Sequence, residues 1–158
     1  MELWELVARE SIRDRIARWN ANGDAGRFDQ MVMVLAPDAE FQAAGTDLLH
    51  GREAVLAFLG GIGDRRAGES RAPRPDGRYV PEGGRPSLRH YTSTVQIDFE
   101  SETCAQVRSY YAVLSSHGLD HWGRYLDEWR PVDGEWLITK RTITTEGVDP
   151  EGWAAPLV

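Results

Sequence analysis

Two side chains in this chain could between them move a proton, the carboxylate of Asp24 and the imidazole of His90. Asp24 ends the segment Trp19-Asn20-Ala21-Asn22-Gly23-Asp24. His90 stands near the start of Arg89-His90-Tyr91-Thr92-Ser93-Thr94-Val95-Gln96-Ile97-Asp98-Phe99, a run that alternates as a strand does. If the first segment folds over the second, the two side chains meet inside a pocket. A histidine ordinarily titrates near about 6.5, so its ring can take a proton at neutral pH. A buried carboxylate on the other ring nitrogen fixes the tautomer and stabilises the imidazolium that forms. Such a base contributes about 10²–10⁴-fold to a rate. It suits removal of a proton beside a carbonyl or a leaving group, followed by elimination, isomerisation or ring closure. The competing structural roles are a helix cap for Asp24 and a satisfied core histidine for His90.

Alternation adds further residues to the same face. His90, Thr92, Thr94 and Gln96 share one side of their strand; Ser109, Tyr111 and Val113 share one side of the next, opposite Arg108, Tyr110 and Ala112. Gly123, Tyr125 and Asp127 go together, as do Leu137, Thr139, Arg141 and Ile143. An inward set of His90, Tyr111, Tyr125 and Arg141 is polar for a core, and buried polar groups without partners cost free energy, so the set reads as a ligand pocket. Trp19, Phe58 and Ile143 are expected to bind substrate there with Tyr111 and Tyr125. Arg141, Tyr111 or Tyr125 could hold a developing oxyanion; a structural ion pair of Arg141 with Asp24 or Asp127 is the alternative. His117 and His121 flank a turn and invite a metal reading, but no carboxylate cluster of clear spacing supports it, and no cofactor or metal is expected. Trp129, Trp136 and Trp153 are most simply packing residues, with Trp153 covering the pocket from the tail.

The elements that would position these groups follow from periodicity. Leu3, Val7, Ile12, Ile16 and Trp19 mark an amphipathic helix, stopped by Asn22-Gly23. Phe28, Met31, Val32 and Leu35 repeat at helical spacing up to Pro37-Asp38. Ala39–Ala43 is a short strand, and Val55, Phe58, Leu59 and Ile62 mark a third helix. Residues 64–86 are crowded with Gly, Pro and Arg and read as a flap or loop. Four strands follow: His90–Phe99, Ala105–Ser115, His121–Pro131 and Trp136–Glu146. Hairpin signals join the later ones at Ser115-Ser116-His117-Gly118 and at Val132-Asp133-Gly134-Glu135. Helices first and an antiparallel sheet afterwards is the α+β pattern.

With 158 residues the chain is one domain of ordinary size, and 41% hydrophobic with 27% charged residues makes it globular rather than disordered. A net charge of -7 argues against general affinity for nucleic acid or anionic membranes. The one cysteine, Cys104, excludes an internal disulfide framework. No apolar run is near the roughly 20 residues that cross a bilayer, and the N-terminus lacks a signal-peptide pattern. A cytoplasmic location is expected.

Quoted in order, Ile16, Asp24, Asp29, Ala36-Pro37-Asp38-Ala39-Glu40-Phe41, His50-Gly51, Glu53-Ala54, Arg89-His90-Tyr91-Thr92, Gly123-Arg124-Tyr125 and Asp133-Gly134-Glu135-Trp136-Leu137-Ile138 with Arg141 span nearly the whole chain. In that order and spacing the chain resembles the SnoaL-like branch of the nuclear transport factor 2-like superfamily. The resemblance implies a cone-shaped curved antiparallel sheet closed by N-terminal helices. The nearest pattern is similar to scytalone dehydratase, bile acid 7α-dehydratase and hexachlorocyclohexane dehydrochlorinase, which use a His–Asp pair as base and a basic residue on the last strand. By position the resemblance assigns Asp24 and His90 to the pair and Arg141 to the cation. Trp19 stands where those relatives carry a proton-transferring tyrosine or lysine. The implied activity is a cofactor-free dehydratase-like lyase, or an isomerase or cyclase of secondary metabolism, on a small and largely apolar substrate. A non-catalytic binding protein of the same fold, or the small subunit of a ring-hydroxylating dioxygenase, is the alternative. A homodimer through the outer sheet face, with Arg108, Tyr110 and Leu114 on one strand, is the expected assembly.

Overall fold

Ala8, Ile12, Ile16, Trp19 and Gly23 follow one another at spacings of three and four. In the computed structural model, which describes residues 1–68, 88–115 and 118–157, they form the buried stripe of helix α1 (Leu3–Asp24). Carried back by four, the same line passes through Trp4, whose ring meets Phe99 edge-on at 5.2 Å. Leu3 and Val7, expected on this face, are rotated off it by about 100° per residue and remain 76% and 61% exposed. The helix also runs past its expected stop. Asp24 is its last residue, and Gly26, at φ +70°, supplies the left-handed turn that ends it.

The expected second helix is short. Helix α2 (Phe28–Met31) gives way to a single 3-10 turn at Val32–Val34 and then to strand β1 (Leu35–Gln42). Pro37 was expected to end a helix and instead lies within β1. It has no N–H for a ladder, and the β1 register shifts between Leu35 and Glu40. Strand β2 (Leu49–His50) pairs back on β1, and helix α3 (Gly51–Gly68) starts at once behind it. Arg52 ties that start to β1 through Nε and Nη2 on the Leu35 carbonyl, at 2.8 and 2.6 Å. Val55 and Leu59 are buried from α3, with Phe58 packed beside them. Of the expected flap, residues 64–68 continue α3, and the remainder lies outside the described residues.

Strands β3 (Arg89–Ser101), β4 (Cys104–Ser115), β5 (Gly118–Val132) and β6 (Glu135–Val148) form an antiparallel meander. The β5–β6 turn has Asp133 and Gly134 at φ 52° and 82°, the geometry an Asp-Gly hairpin requires. The sheet order is β2-β1-β6-β5-β4-β3, antiparallel throughout except for the parallel pair β1/β6. It is a mixed α+β fold, a six-stranded curved sheet with the N-terminal helices packed on it.

Bulges set which residues look inward. Between Ser93 and Gln96 strand β3 carries one residue more than β4, with Thr94 at φ +51°. The expected alternation therefore breaks: His90 and Thr92 stay on the inner face, Val95 and Ile97 take it over, and Gln96 turns out to solvent. A second shift lies between Trp122 and Gly123, where a side chain at Gly123 would put its Cβ 1.9 Å from the Thr144 carbonyl oxygen. The inner face divides into a large apolar core around Ile12, Phe41, Val107 and Trp129, and a smaller cluster of Leu88, Tyr111, Val113, Tyr125, Trp153 and Ala154. The outer face carries Tyr91, Tyr110, Leu114, Trp122 and Leu126, each at least 39% exposed. Among the described residues no helix is long and apolar enough to cross a membrane.

Candidate active site

Strand pairing places the polar residues of the inner face in rows. His90 on β3 lies opposite Val113 on β4, which lies opposite His121 on β5. The next row is Thr92, Tyr111, Gly123 and Thr145, and the one after it Ser109, Tyr125 and Ile143. Beyond them come Val107, Asp127 and Arg141. From the first three rows His90, His121, Tyr111, Thr145, Tyr125 and Ile143 line a cavity of about 410 Å³, walled also by Trp19 of α1, Phe58 of α3 and Trp153 of the tail. A volume of that size holds a small molecule, and most of its lining is apolar.

Asp24 grips His90 twice. The ring Nδ1–H donates to Oδ1 at 2.7 Å, and the His90 backbone N–H donates to Oδ2 at 3.1 Å and to Oδ1 at 3.3 Å. The carboxylate comes from the last turn of α1 and caps nothing; α2 begins without any side-chain cap. With Nδ1 donating to a carboxylate, the neutral ring carries its lone pair on Nε2. His90 lines the cavity and Asp24 stands behind it.

Tyr111 and Tyr125 stack with ring centroids 4.7 Å apart. The Tyr111 hydroxyl shares a hydrogen bond with Thr145 Oγ1 at 3.1 Å. Burial pushes both phenols above their ordinary value, against the lowering pull of Thr145 on Tyr111 and of Arg141 on Tyr125. Both therefore remain O–H donors at neutral pH.

Arg141 lies one layer deeper than a substrate would reach. Its guanidinium donates to Asp127 at 2.8 and 2.6 Å and sits over the Trp19 and Tyr125 rings, 4.6 Å from each centroid. It is not part of the cavity wall. Although burial opposes its charge, Asp127 holds it protonated, above the usual range. The cation thus acts on the rings that do line the cavity.

One pair escaped the sequence reading. His121 lines the cavity, and its Nδ1–H donates to Asp120 Oδ1 at 2.8 Å. Asp120 also accepts the backbone N–H groups of Trp153 (2.6 Å) and Ala154 (3.1 Å), which fixes the tail against the cavity. The signal was present: His121 has the same strand parity as Gly123, Tyr125 and Asp127. Reading it as the end of a turn with His117 hid that parity; His117 lies outside the described residues. Among the described residues no group of three or more His, Cys, Asp or Glu could hold a metal ion.

Of the residues expected at the site, His90, Trp19, Phe58, Tyr111, Tyr125 and Ile143 share the cavity, while Asp24 and Arg141 stand behind it. A family model described as a SnoaL-like domain matches residues 4–142. The chain belongs to the SnoaL-like family. Three solved structures resemble this SnoaL-like chain. A scytalone dehydratase candidate from Novosphingobium aromaticivorans is 24% identical at a TM-score of 0.72, over 94% of this chain and 91% of that one. The hexachlorocyclohexane dehydrochlorinase of Novosphingobium barchaimii is 17% identical at 0.74, over 94% and 93%. A Nostoc punctiforme protein of unknown function with a cystatin-like fold is 19% identical at 0.70, over 96% of each chain. Among curated proteins none matches.

Proposed function

We propose that this SnoaL-like chain is a cofactor-independent acid–base enzyme acting on a small, largely apolar molecule by elimination of water, isomerisation or ring closure. The observation that carries the reading is the 2.7 Å contact of His90 Nδ1 with Asp24, on a residue that lines the cavity. His90 Nε2 takes a carbon-bound proton, Asp24 steadies the imidazolium, and the Tyr125 and Tyr111 hydroxyls donate to the oxyanion that develops. Arg141 holds the Trp19 and Tyr125 rings in place. Likeness to a scytalone dehydratase candidate and to a dehydrochlorinase supports elimination over the other two reactions.

The test is loss of water from a panel of β-hydroxy ketones, followed by proton NMR, with the native chain and with His90→Gln. Turnover that drops about 10²–10⁴-fold in the variant, at unchanged melting temperature, is the expected result. Equal rates in both proteins would remove His90 from the chemistry. One observation favours a second reading, a binding protein: Trp19 is buried in the wall where a proton-transferring group would be useful, and an indole cannot exchange protons. Tight binding of panel members without turnover would select it.

A further inference from the structure

The cavity wall carries two histidines, and each is held by an aspartate through Nδ1. His90 has Asp24 at 2.7 Å and His121 has Asp120 at 2.8 Å. They come from strands separated by β4 alone, in one cross-strand row over Val113, with ring centroids 6.3 Å apart and planes nearly perpendicular at 86°. Both rings border the same cavity, and in both the nitrogen left for a ligand is Nε2.

We propose that His121 is a second catalytic residue of this cavity, the acid that protonates a departing oxygen while His90 removes the carbon-bound proton. The proposal rests on the acid–base reading above and supplies what elimination of hydroxide requires, since a poor leaving group departs only as it gains a proton. The step balances within the cavity. His90 Nε2 forms a bond to the proton, and the C–H pair becomes the new carbon–carbon π bond. The C–O bond breaks with its pair going to oxygen, and that oxygen takes the proton of His121 Nε2. The proton gained at His90 and lost at His121 is exchanged with water between turnovers.

The two pairs differ in a way that assigns the roles. Asp120 is 2% exposed and is bound by three donors: the His121 ring and the N–H groups of Trp153 and Ala154. Burial acts to raise its titration, but those bonds outweigh it and hold the carboxyl below its usual range. That carboxylate is held in place beside Nδ1 and orients the His121 ring, leaving Nε2 for the departing oxygen. Asp24 is bound by His90 alone among the described residues, and the His90 side chain is more exposed, 27% against 13% for His121, so His90 is the ring more open to water. The other titratable groups facing His121 among the described residues are Tyr111 of β4 and His90 of β3. Thr145 and Val148 of β6 and Trp153 of the tail contribute no charge.

The experiment uses the full chain and a series of β-substituted ketones whose leaving groups are para-nitrophenoxide, phenoxide and hydroxide, in order of rising basicity. His121→Gln should lose less than about tenfold with para-nitrophenoxide and about 10²–10⁴-fold with hydroxide, because only the basic leaving group needs the acid. His90→Gln should lose about 10²–10⁴-fold across the whole series. His121→Phe, which keeps ring packing against Tyr111 and Trp153, should repeat the His121→Gln slope. A His121→Gln loss that is absent, or equal for all three leaving groups, overturns the proposal while leaving His90 as the base. If the native chain turns over none of the series, the acid–base reading fails and takes this one with it.

Discussion

The inner face of the sheet ends in two different materials. At one end Ile97, Val107, Trp129 and Ile138 are at most 4% exposed and meet Ile12 and Ile16 of α1 and Val55 of α3. At the other end His90, Tyr111, His121 and Tyr125 come up the same strands on the same face and meet space. What differs is the layer above. The stripe of α1 supplies apolar side chains as far as Trp19, and then the helix ends, so Asp24 is its last contribution. A sheet end without an apolar partner can remain ordered when each polar group is held from behind. Here an acid from α1 holds His90, one from β5 holds His121 and one from the same strand, Asp127, holds Arg141. The pocket is the part of the core that the helices leave uncovered.

The boundary between the two ends is the Arg141–Asp127 pair, buried to 1% and 0% side-chain exposure. Breaking it should have the largest effect on stability. Arg141→Met leaves the Asp127 carboxylate buried without a counter-ion and should cost about 3–5 kcal/mol in denaturant unfolding. The double variant Arg141→Met with Asp127→Leu should recover most of that loss, because an apolar pair of similar volume replaces the charges. If the single variant costs less than about 1 kcal/mol, the pair is no barrier, and the dry core continues into the cavity.

Much of this division was legible in the sequence. Period-two alternation placed Tyr111, Tyr125 and Arg141 on one face, and helical periodicity put Trp19 and Phe58 toward it. Three things were not legible, each for a physical reason. The Thr94 bulge moved Gln96 out of the face, and nothing in a threonine-rich strand announces an extra residue. For Arg141 the sequence left an oxyanion role and an ion pair with Asp24 or Asp127 both open, because only the cross-strand register, Asp127↔Arg141, says which carboxylate it meets. Asp120 was invisible as a partner because its role depends on the tail returning, and long-range return is not encoded in local spacing.

The next largest effect concerns the hydroxyls. Tyr125→Phe removes the donor that burial keeps protonated, and should lower kcat about 10²–10³-fold if that hydroxyl meets the developing oxyanion. Tyr111→Phe should lose less, since the Tyr111 hydroxyl is already engaged with Thr145. Because both phenols titrate above their ordinary value, ionisation of tyrosine should not depress the rate of the native chain up to about pH 10. Steady-state rates for the two variants along a pH series check both points. A Tyr111→Phe loss exceeding that of Tyr125→Phe would exchange the roles of the two rings.

The smallest effect, and the sharpest contrast with the dry end, is expected at Asp120. Among the described residues the buried cluster of the dry end holds no titratable side chain, so its packing should be indifferent to pH. The cavity end is closed by a tail that hangs on one carboxylate. That carboxyl titrates lower in the folded chain than the ordinary unfolded value near about 3.9. Its contribution is therefore fully present above the unfolded value and is lost as pH falls through the folded one. Asp120→Asn should cost about 1–3 kcal/mol near neutrality, where the two backbone N–H groups lose a charged acceptor. The gap between native chain and variant should then close as the solution is acidified below about pH 4. Denaturant titrations of the native chain and of Asp120→Asn at several pH values, followed by circular dichroism, measure that gap. A gap that stays constant down to the acid limit would mean that the Asp120 charge does not hold the tail, and that hydrogen-bond geometry alone closes the cavity.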